Sequence, residues 1–408
     1  MKNLKANISA RTIGLLIGLI STAVLAVAVT RPHLNFSFFV QLLFDDAKEF
    51  ADTGIITSDF MPSGYAGFLG SCIKIGGTNG IPACQTFIYA GILLTTFLFL
   101  RLRGVQNVLL LFPILAIALH PVLLLNVWRI HDGNLTILLL FGFLAAGISS
   151  ARRGNTWSII ACGISLGLLI TVRQNAIPLL VPALLLLWSG NARKNIWRAT
   201  TLFLVSAFVA MAVVNITTKQ TIFSFGRQGP YNFFAGANEY AAPYLLKDYS
   251  AEQSLGKALR ARGFSSAAES FEGWSSVPSE TYTKLALKYI ENHPVQYVKL
   301  TALKLFTLLR PGYHMTENFT WDSVEGLKRF SKIILAAPFF IWVFFVYKTR
   351  DDFFDRELFF VFLAVVLYVL PFLAANADPR YRFPLDIICI ADSFCRAKKL
   401  SSRKRLLA

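Results

Sequence analysis

The chain has 408 residues, 55% hydrophobic and only 15% charged, with a mean hydropathy of +0.53. Soluble domains carry about 25% charged residues, so composition excludes an ordinary water-soluble fold. The net charge of +17 invites a nucleic-acid reading. The basic residues, however, fall largely in short turns between apolar runs, where they act as topology signals. Membrane lipid is the expected partner, and no nucleic acid is.

Apolar runs long enough to cross about 30 Å of hydrocarbon occupy residues 12–30, 82–100, 105–125, 133–150, 157–172, 174–189, 198–215, 331–347, 357–374 and 383–396. They predict an all-α polytopic membrane protein of about ten transmembrane helices. The first run follows Lys2, Lys5 and Arg11 and begins like a signal peptide. It is long and lacks a clear small-residue cleavage site, so it is read as a retained anchor.

The basic residues set the expected orientation. Arg101 and Arg103, Arg152 and Arg153, Arg193, Lys194 and Arg198, Lys348, Arg350 and Arg356, and a tail from Arg396 to Arg405 all fall on one side if the N-terminus is inside. The positive-inside rule makes that side cytoplasmic. Both termini are then cytoplasmic, in a membrane expected to be a bacterial inner membrane. The two long polar pieces, 31–81 and 216–330, face the other side. The division that follows is an N-terminal membrane region (1–215) carrying the 31–81 loop, a non-cytoplasmic region (216–330), and C-terminal spans with a basic tail (331–408).

Within 216–330, the stretch 279–292 reads as a helix, with Ser279 available to cap it and Tyr282, Leu285, Ala286 and Tyr289 on one face. Residues 296–310 are apolar but interrupted by Lys299 and Lys304. Counting them as a span would invert every later segment, so an interfacial amphipathic helix is expected. Cys72 and Cys84 flank part of the first polar piece and could pair in an oxidising compartment. The other three cysteines sit in apolar runs.

The first polar piece reads FDDAKEFADTGIITSDFMPSGYAGFLG over 44–70. Asp45 and Asp46 follow an apolar stretch directly, and a pair of carboxylates at a helix N-terminus would account for them structurally. Asp46, Phe50 four residues on, and then Pro62-Ser63-Gly64-Tyr65 resemble the first-loop signature of the GT-C superfamily of membrane glycosyltransferases. That superfamily includes protein O-mannosyltransferases and aminoarabinose transferases. Phe50 stands where Tyr is usual, and Ser63 where a second Pro is common. Three later stretches are similar to the family in the same order: TVRQNAIPLLVP (171–182), ETYTKLALKYIENHPVQYVKLTALKLF (280–306) and DPRYRFPLD (378–386).

The resemblance implies transfer of a sugar from a polyprenyl-phosphate carrier to a cell-envelope acceptor (a glycolipid, glycan or protein). Asp46, with Asp45 beside it, becomes the candidate base that takes a proton from the attacking hydroxyl. Arg380, Arg382, Arg173 and Lys304 become candidates for the departing lipid phosphate, since a guanidinium fork matches a phosphate. Arg382 and Asp386, and likewise Asp392 and Arg396, stand four apart and could instead neutralise each other. Tyr65, His131, Asp132, Asn238 and Glu239 are the candidates for sugar or acceptor contacts. Adjacent carboxylates suit Mg²⁺ or Mn²⁺, but no third ligand stands at a telling spacing. No cofactor is required on this reading, and a divalent metal stays an option. A transporter or flippase, or a polymerase or ligase of lipid-linked glycans, is the competing function. A transporter calls for charged residues deep within several spans.

Overall fold

The computed structural model describes residues 10–30, 38–105, 107–190, 195–224, 226–246, 251–264, 273–274, 277–309, 325–352 and 355–407, with no strand among them. The helices in chain order are α1 (Ala10–Thr30), α2 (Phe38–Thr53), α3 (Ser63–Gly76), α4 (Gly80–Leu102), α5 (Leu111–Ala118), α6 (Pro121–Trp128), α7 (Gly133–Arg153), α8 (Thr156–Val172) and α9 (Leu180–Ser189). They continue with α10 (Ile196–Lys219), α11 (Gln228–Ala235), α12 (Ala241–Leu246), α13 (Ala251–Arg260), α14 (Ser279–Asn292), α15 (Pro294–Leu309), α16 (Glu325–Lys348), α17 (Arg356–Ala374) and α18 (Phe383–Leu407).

Four helices among the described residues, α4, α7, α10 and α17, are long and apolar enough to cross a membrane. Shorter apolar helices cover Thr12–Val27, Thr156–Val172, Gln174–Ser189 and Ala337–Lys348. The run at 105–125 differs from expectation, because it is not one helix. It breaks at Leu119–His120, where His120 turns extended ahead of Pro121, which has no N–H to continue the ladder. The run at 174–189 likewise opens as a 3₁₀ turn, Gln174–Leu179, containing Pro178. His120 is buried and packs its ring 5.5 Å from that of Phe383.

Helices α8 and α10 pack closest where glycines remove side-chain bulk. A Cβ on Gly163 would lie 2.4 Å from the Phe203 carbonyl oxygen, and one on Gly167 would lie 2.1 Å from that of Ala207. This is the small-residue contact that lets helix backbones approach in a membrane.

The polar pieces are themselves largely helical. Residues 31–81 hold the antiparallel helices α2 and α3, and α11–α15 fill much of 216–330. Both pieces share one core: Leu43, Phe44 and Ala47 of α2 and Tyr65 and Leu69 of α3 cluster with Tyr231, Phe234, Tyr282, Ala286 and Leu300. Helix α14 forms over 279–292 as expected, with Tyr282, Ala286 and Tyr289 buried. Ser279 is its first residue and makes no capping bond. The 16-residue α15 is about 24 Å long at 1.5 Å per residue, short for a span.

At the other end of the bundle, charges are buried together. Both oxygens of Glu357 accept from Arg152, and Glu357 also faces Arg103 at 3.6 Å. Arg396 donates to Asp392 at 2.6 Å, to Thr349 Oγ1 at 2.9 Å and to the Leu358 carbonyl at 3.1 Å. The Trp342 indole also donates to Asp392, at 2.9 Å. These contacts tie α4, α7, α16, α17 and α18 into one ionic knot.

Candidate functional site

Asp45 and Asp46 sit in the middle of α2, so they are not the acidic pair of a helix N-terminus. Their environments diverge. Asp45 is exposed and accepts from Gln41 Nε2 at 2.8 Å. Asp46 is only 7% exposed, and its Oδ2 is buried without a hydrogen-bond partner among the described residues. Burial pushes its pKa up to about 6. The Lys219 ammonium and the Ser58 hydroxyl pull in the opposite direction.

The segment 54–62 folds back over α2 and roofs that carboxylate. Gly54, at φ 78°, ends the helix with its N–H on the Phe50 carbonyl. Thr57 bonds Glu49 through both its N–H (3.0 Å) and its hydroxyl (2.7 Å). The Ile56 N–H donates to the Thr218 carbonyl at 2.6 Å, and Lys219 Nζ donates to the Ser58 carbonyl at 2.5 Å. Asp59 is bound by Arg227 at 2.7 Å. Ser58 and Lys219 were not legible as site residues. Lys219 ends an apolar helix, 173 positions after Asp46, and only the fold brings the two together.

The Pro-Ser-Gly-Tyr motif proves to be a packing device. A Cβ on Gly64 would lie 2.4 Å from Thr171 Oγ1, so α3 starts directly against the end of α8. Ser63 donates to Asn215 Oδ1 at 2.8 Å. Tyr65 is buried, and its hydroxyl accepts from Gln85 Nε2 at 2.5 Å. Tyr65, expected as a sugar or acceptor contact, is thus wedged in the cap core, with its hydroxyl beside His131 and near Asp132.

Arg173 caps the C-terminus of α8. Its Nε and Nη2 donate to the two oxygens of Asp132 at 2.5 and 2.8 Å, and its Nη1 donates to the Tyr368 hydroxyl at 3.3 Å. His131, beside this pair, accepts the Gly133 N–H on Nδ1 at 2.9 Å. Two residues expected in different roles, one for phosphate and one for sugar, are thus bonded to each other. A bidentate pair of this kind fixes the orientation of both side chains and neutralises the Arg173 charge.

Arg382 forms the pair with Asp386 that i,i+4 spacing allows, at 3.0 Å, and donates to the Leu308 carbonyl at 3.0 Å. It is 1% exposed. Arg380, the second expected phosphate ligand, has its side chain outside the described residues. Lys304 is fully buried and donates to the Ala374 carbonyl at 3.0 Å, with its ammonium 4.8 Å from the Tyr297 ring centroid. Burial lowers its pKa to about 7. Asn238 is consumed by its own turn: its amide donates to the Phe234 and Ala235 carbonyls and accepts the Tyr240 N–H. Glu239 is held bidentately by Arg262 at 2.8 and 2.9 Å, which lowers its pKa despite burial. The Asn238–Glu239 turn therefore braces the cap, and Gly236 beside it abuts the Ala375 carbonyl.

Cys72 and Cys84 are both free thiols in mutual contact. Among the described residues no group of three or more His, Cys, Asp or Glu side chains could hold a metal ion.

Fold and site together define a helical membrane protein with a helical cap, at whose base a buried, half-satisfied carboxylate lies under a strapped segment. No protein-family model matches the sequence, and no curated protein matches it. Among solved structures, the chain is similar to ArnT from Cupriavidus metallidurans in its crystal structure bound to undecaprenyl phosphate. The two share 13% identity with a TM-score of 0.43, over 97% of this chain and 79% of that one.

Proposed function

We propose that this protein is a membrane glycosyltransferase that moves a sugar from a polyprenyl-phosphate carrier to a hydroxyl of a cell-envelope acceptor. The observation that carries this reading is Asp46: a carboxylate buried in the cap, with one oxygen unpartnered and a pKa raised to about 6. A base of that strength is largely ionised at neutral pH and still takes up a proton readily. In the proposed reaction Asp46 Oδ2 accepts the acceptor's hydroxyl proton as that oxygen attacks the anomeric carbon. The bond from that carbon to the phosphate oxygen breaks, and the phosphate leaves with its lipid. A single displacement of this kind inverts the anomeric centre.

The orientation belongs to the same proposal. About ten spans, with Asp46 on the non-cytoplasmic face, are supported by the basic turns gathered at the opposite end, where Arg103, Arg152 and Arg396 meet. A bacterial inner membrane fits this arrangement. The flippase alternative draws less support, because Glu357, Asp386 and Asp392 are each held by arginines, where an ion relay would need them open to a path.

The test is transfer activity of purified Asp46→Asn beside Asp45→Asn, using a polyprenyl-phosphate sugar and extracted envelope glycolipid. Asp46→Asn is expected to lose activity by about 10²-fold or more, with Asp45→Asn near wild type. Full activity in Asp46→Asn would remove the base from the mechanism.

A further inference from the structure

Helix α3 packs in the cap core and α4 in the membrane bundle, and a short turn joins them into a hairpin. Gly77, at φ 61°, ends α3 with its N–H on the Ile73 carbonyl at 2.7 Å. The Gly80 N–H then returns to the Gly77 carbonyl at 3.0 Å and opens α4. The backbones close on each other at once, since a Cβ on Gly80 would lie 2.5 Å from the Cys72 carbonyl oxygen. Further along, Gln85 reaches back to the Tyr65 hydroxyl, so the two helices run antiparallel.

Cys84 stands one turn beyond Gly80, on the same face of α4. Helical Cα–Cβ bonds tilt toward the N-terminus of their helix. In an antiparallel pair this leans the Cys84 side chain back toward the turn and the Cys72 side chain away from it, so the two converge. Their thiols are in contact. Cys72 is 2% exposed in the cap core, and Cys84 is half-buried against the same cluster. Cys162, Cys389 and Cys395, by contrast, are buried in the bundle core.

We propose that Cys72 and Cys84 form a disulfide when the protein lies in its membrane, making the α3–α4 hairpin a covalent staple between cap and bundle. This rests on the proposed orientation, which puts the hairpin on the non-cytoplasmic, oxidising side. The oxidant is a soluble disulfide of that compartment. The Cys84 thiolate, the more accessible of the two, attacks one sulfur of that disulfide and releases the other as a thiol. Cys72 then attacks the Cys84 sulfur of the mixed disulfide and releases the second thiol. Two electrons and the two cysteine protons pass to the oxidant, which leaves as two thiols. Burial raises the Cys72 pKa, so Cys72 is the slower, resolving partner. The bond closes a short loop, 72–84, and adds a covalent link beside the Gln85–Tyr65 hydrogen bond.

Thiol counting tests it. Cells are quenched in acid, and the denatured full-length protein is alkylated with N-ethylmaleimide, with and without prior reduction, then weighed. Of its five cysteines, wild type should take three alkyl groups before reduction and five after. Cys72→Ala and Cys84→Ala should each take four in both cases. Five groups on unreduced wild type overturn the staple, as does a loss of two sites that persists in Cys72→Ala. Orientation is read separately, by labelling Ile75→Cys (83% exposed) with a membrane-impermeant maleimide in a chain that also carries Cys72→Ala and Cys84→Ala. Surface labelling beside five free thiols in wild type rejects the staple alone, whereas absence of labelling rejects the orientation and the staple with it. In lipid nanodiscs, a phosphine reductant should lower the unfolding temperature of wild type by about 5 °C and leave Cys72→Ala unmoved. An equal response in the two proteins overturns the stapling role.

Discussion

Asp46 and Asp45 are neighbours in sequence with opposite fates, and helical geometry decides between them. A rotation of about 100° per residue puts one carboxylate in water and the other under the 54–62 segment. The raised pKa of Asp46 has two consequences with definite signs. Activity that needs the ionised base rises as pH passes through about 6, so kcat/KM should climb between roughly pH 5 and 7 and then level off. Stability runs the other way. A carboxyl whose folded pKa exceeds its unfolded value of 3.8 gives its full contribution below that value and loses it as pH rises through about 6. The difference amounts to about 3 kcal/mol at most. Thermal unfolding of wild type and Asp46→Asn in detergent across this window should show the wild type alone losing stability as pH rises. Parallel curves would mean that Asp46 is not buried as described.

Helix pairs show what could be read from sequence and what could not. The apolar runs located nearly every bundle helix, because each lies in an environment that tolerates few charges. The breaks at Pro121 and within 174–189 were missed, since hydropathy does not register a lost backbone donor. The polar stretch 31–81 offers no span-length apolar run, because α2 and α3 are short and α2 carries Asp45, Lys48 and Asp52 on its exposed face. The order of the four family-like stretches led to Asp46, Arg173, Lys304 and Arg382. It could not tell that Gly64 and Tyr65 pack, or that Arg173 and Asp132 bind each other, because partnership across 41 residues leaves no local signal. The α8–α10 pair was equally hidden. Gly167→Ala places a methyl against the Ala207 backbone with nothing flexible to yield. It should cost about 1–3 kcal/mol, read as a lower unfolding temperature, while Gly14→Ala, with open space around it, should be neutral.

Across the whole molecule, charge is sorted to the two ends of the bundle. One end holds the Glu357–Asp392 knot with its three arginines, and the other holds the Arg173–Asp132 pair and Asp46. Breaking a buried ion pair from one side leaves the remaining charge uncompensated. Glu357→Gln takes from Arg152 the carboxylate it holds bidentately and leaves the buried Arg103 with Asp392 alone, and should destabilise by up to about 3 kcal/mol. Because the knot is remote from Asp46, the folded fraction should keep its KM for donor lipid. A changed KM with unchanged unfolding temperature would show instead that the two ends communicate.

Helix α15 turns Lys304 and Leu300 inward while Val295, Val298, Leu305 and Phe306 remain largely exposed along the opposite side. Its inner side is held by the Ala374 carbonyl oxygen, which receives both Lys304 Nζ and the Tyr297 hydroxyl, and by Arg382, which donates to the Leu308 carbonyl. Such a helix is a float moored to the end of α17 and to Arg382. On the proposed orientation its apolar underside rests at the lipid surface, and the moorings hold the end of α17 at the same level. On that reading, the thickness of the surrounding bilayer helps to set the depth of the residues from 375 to 382.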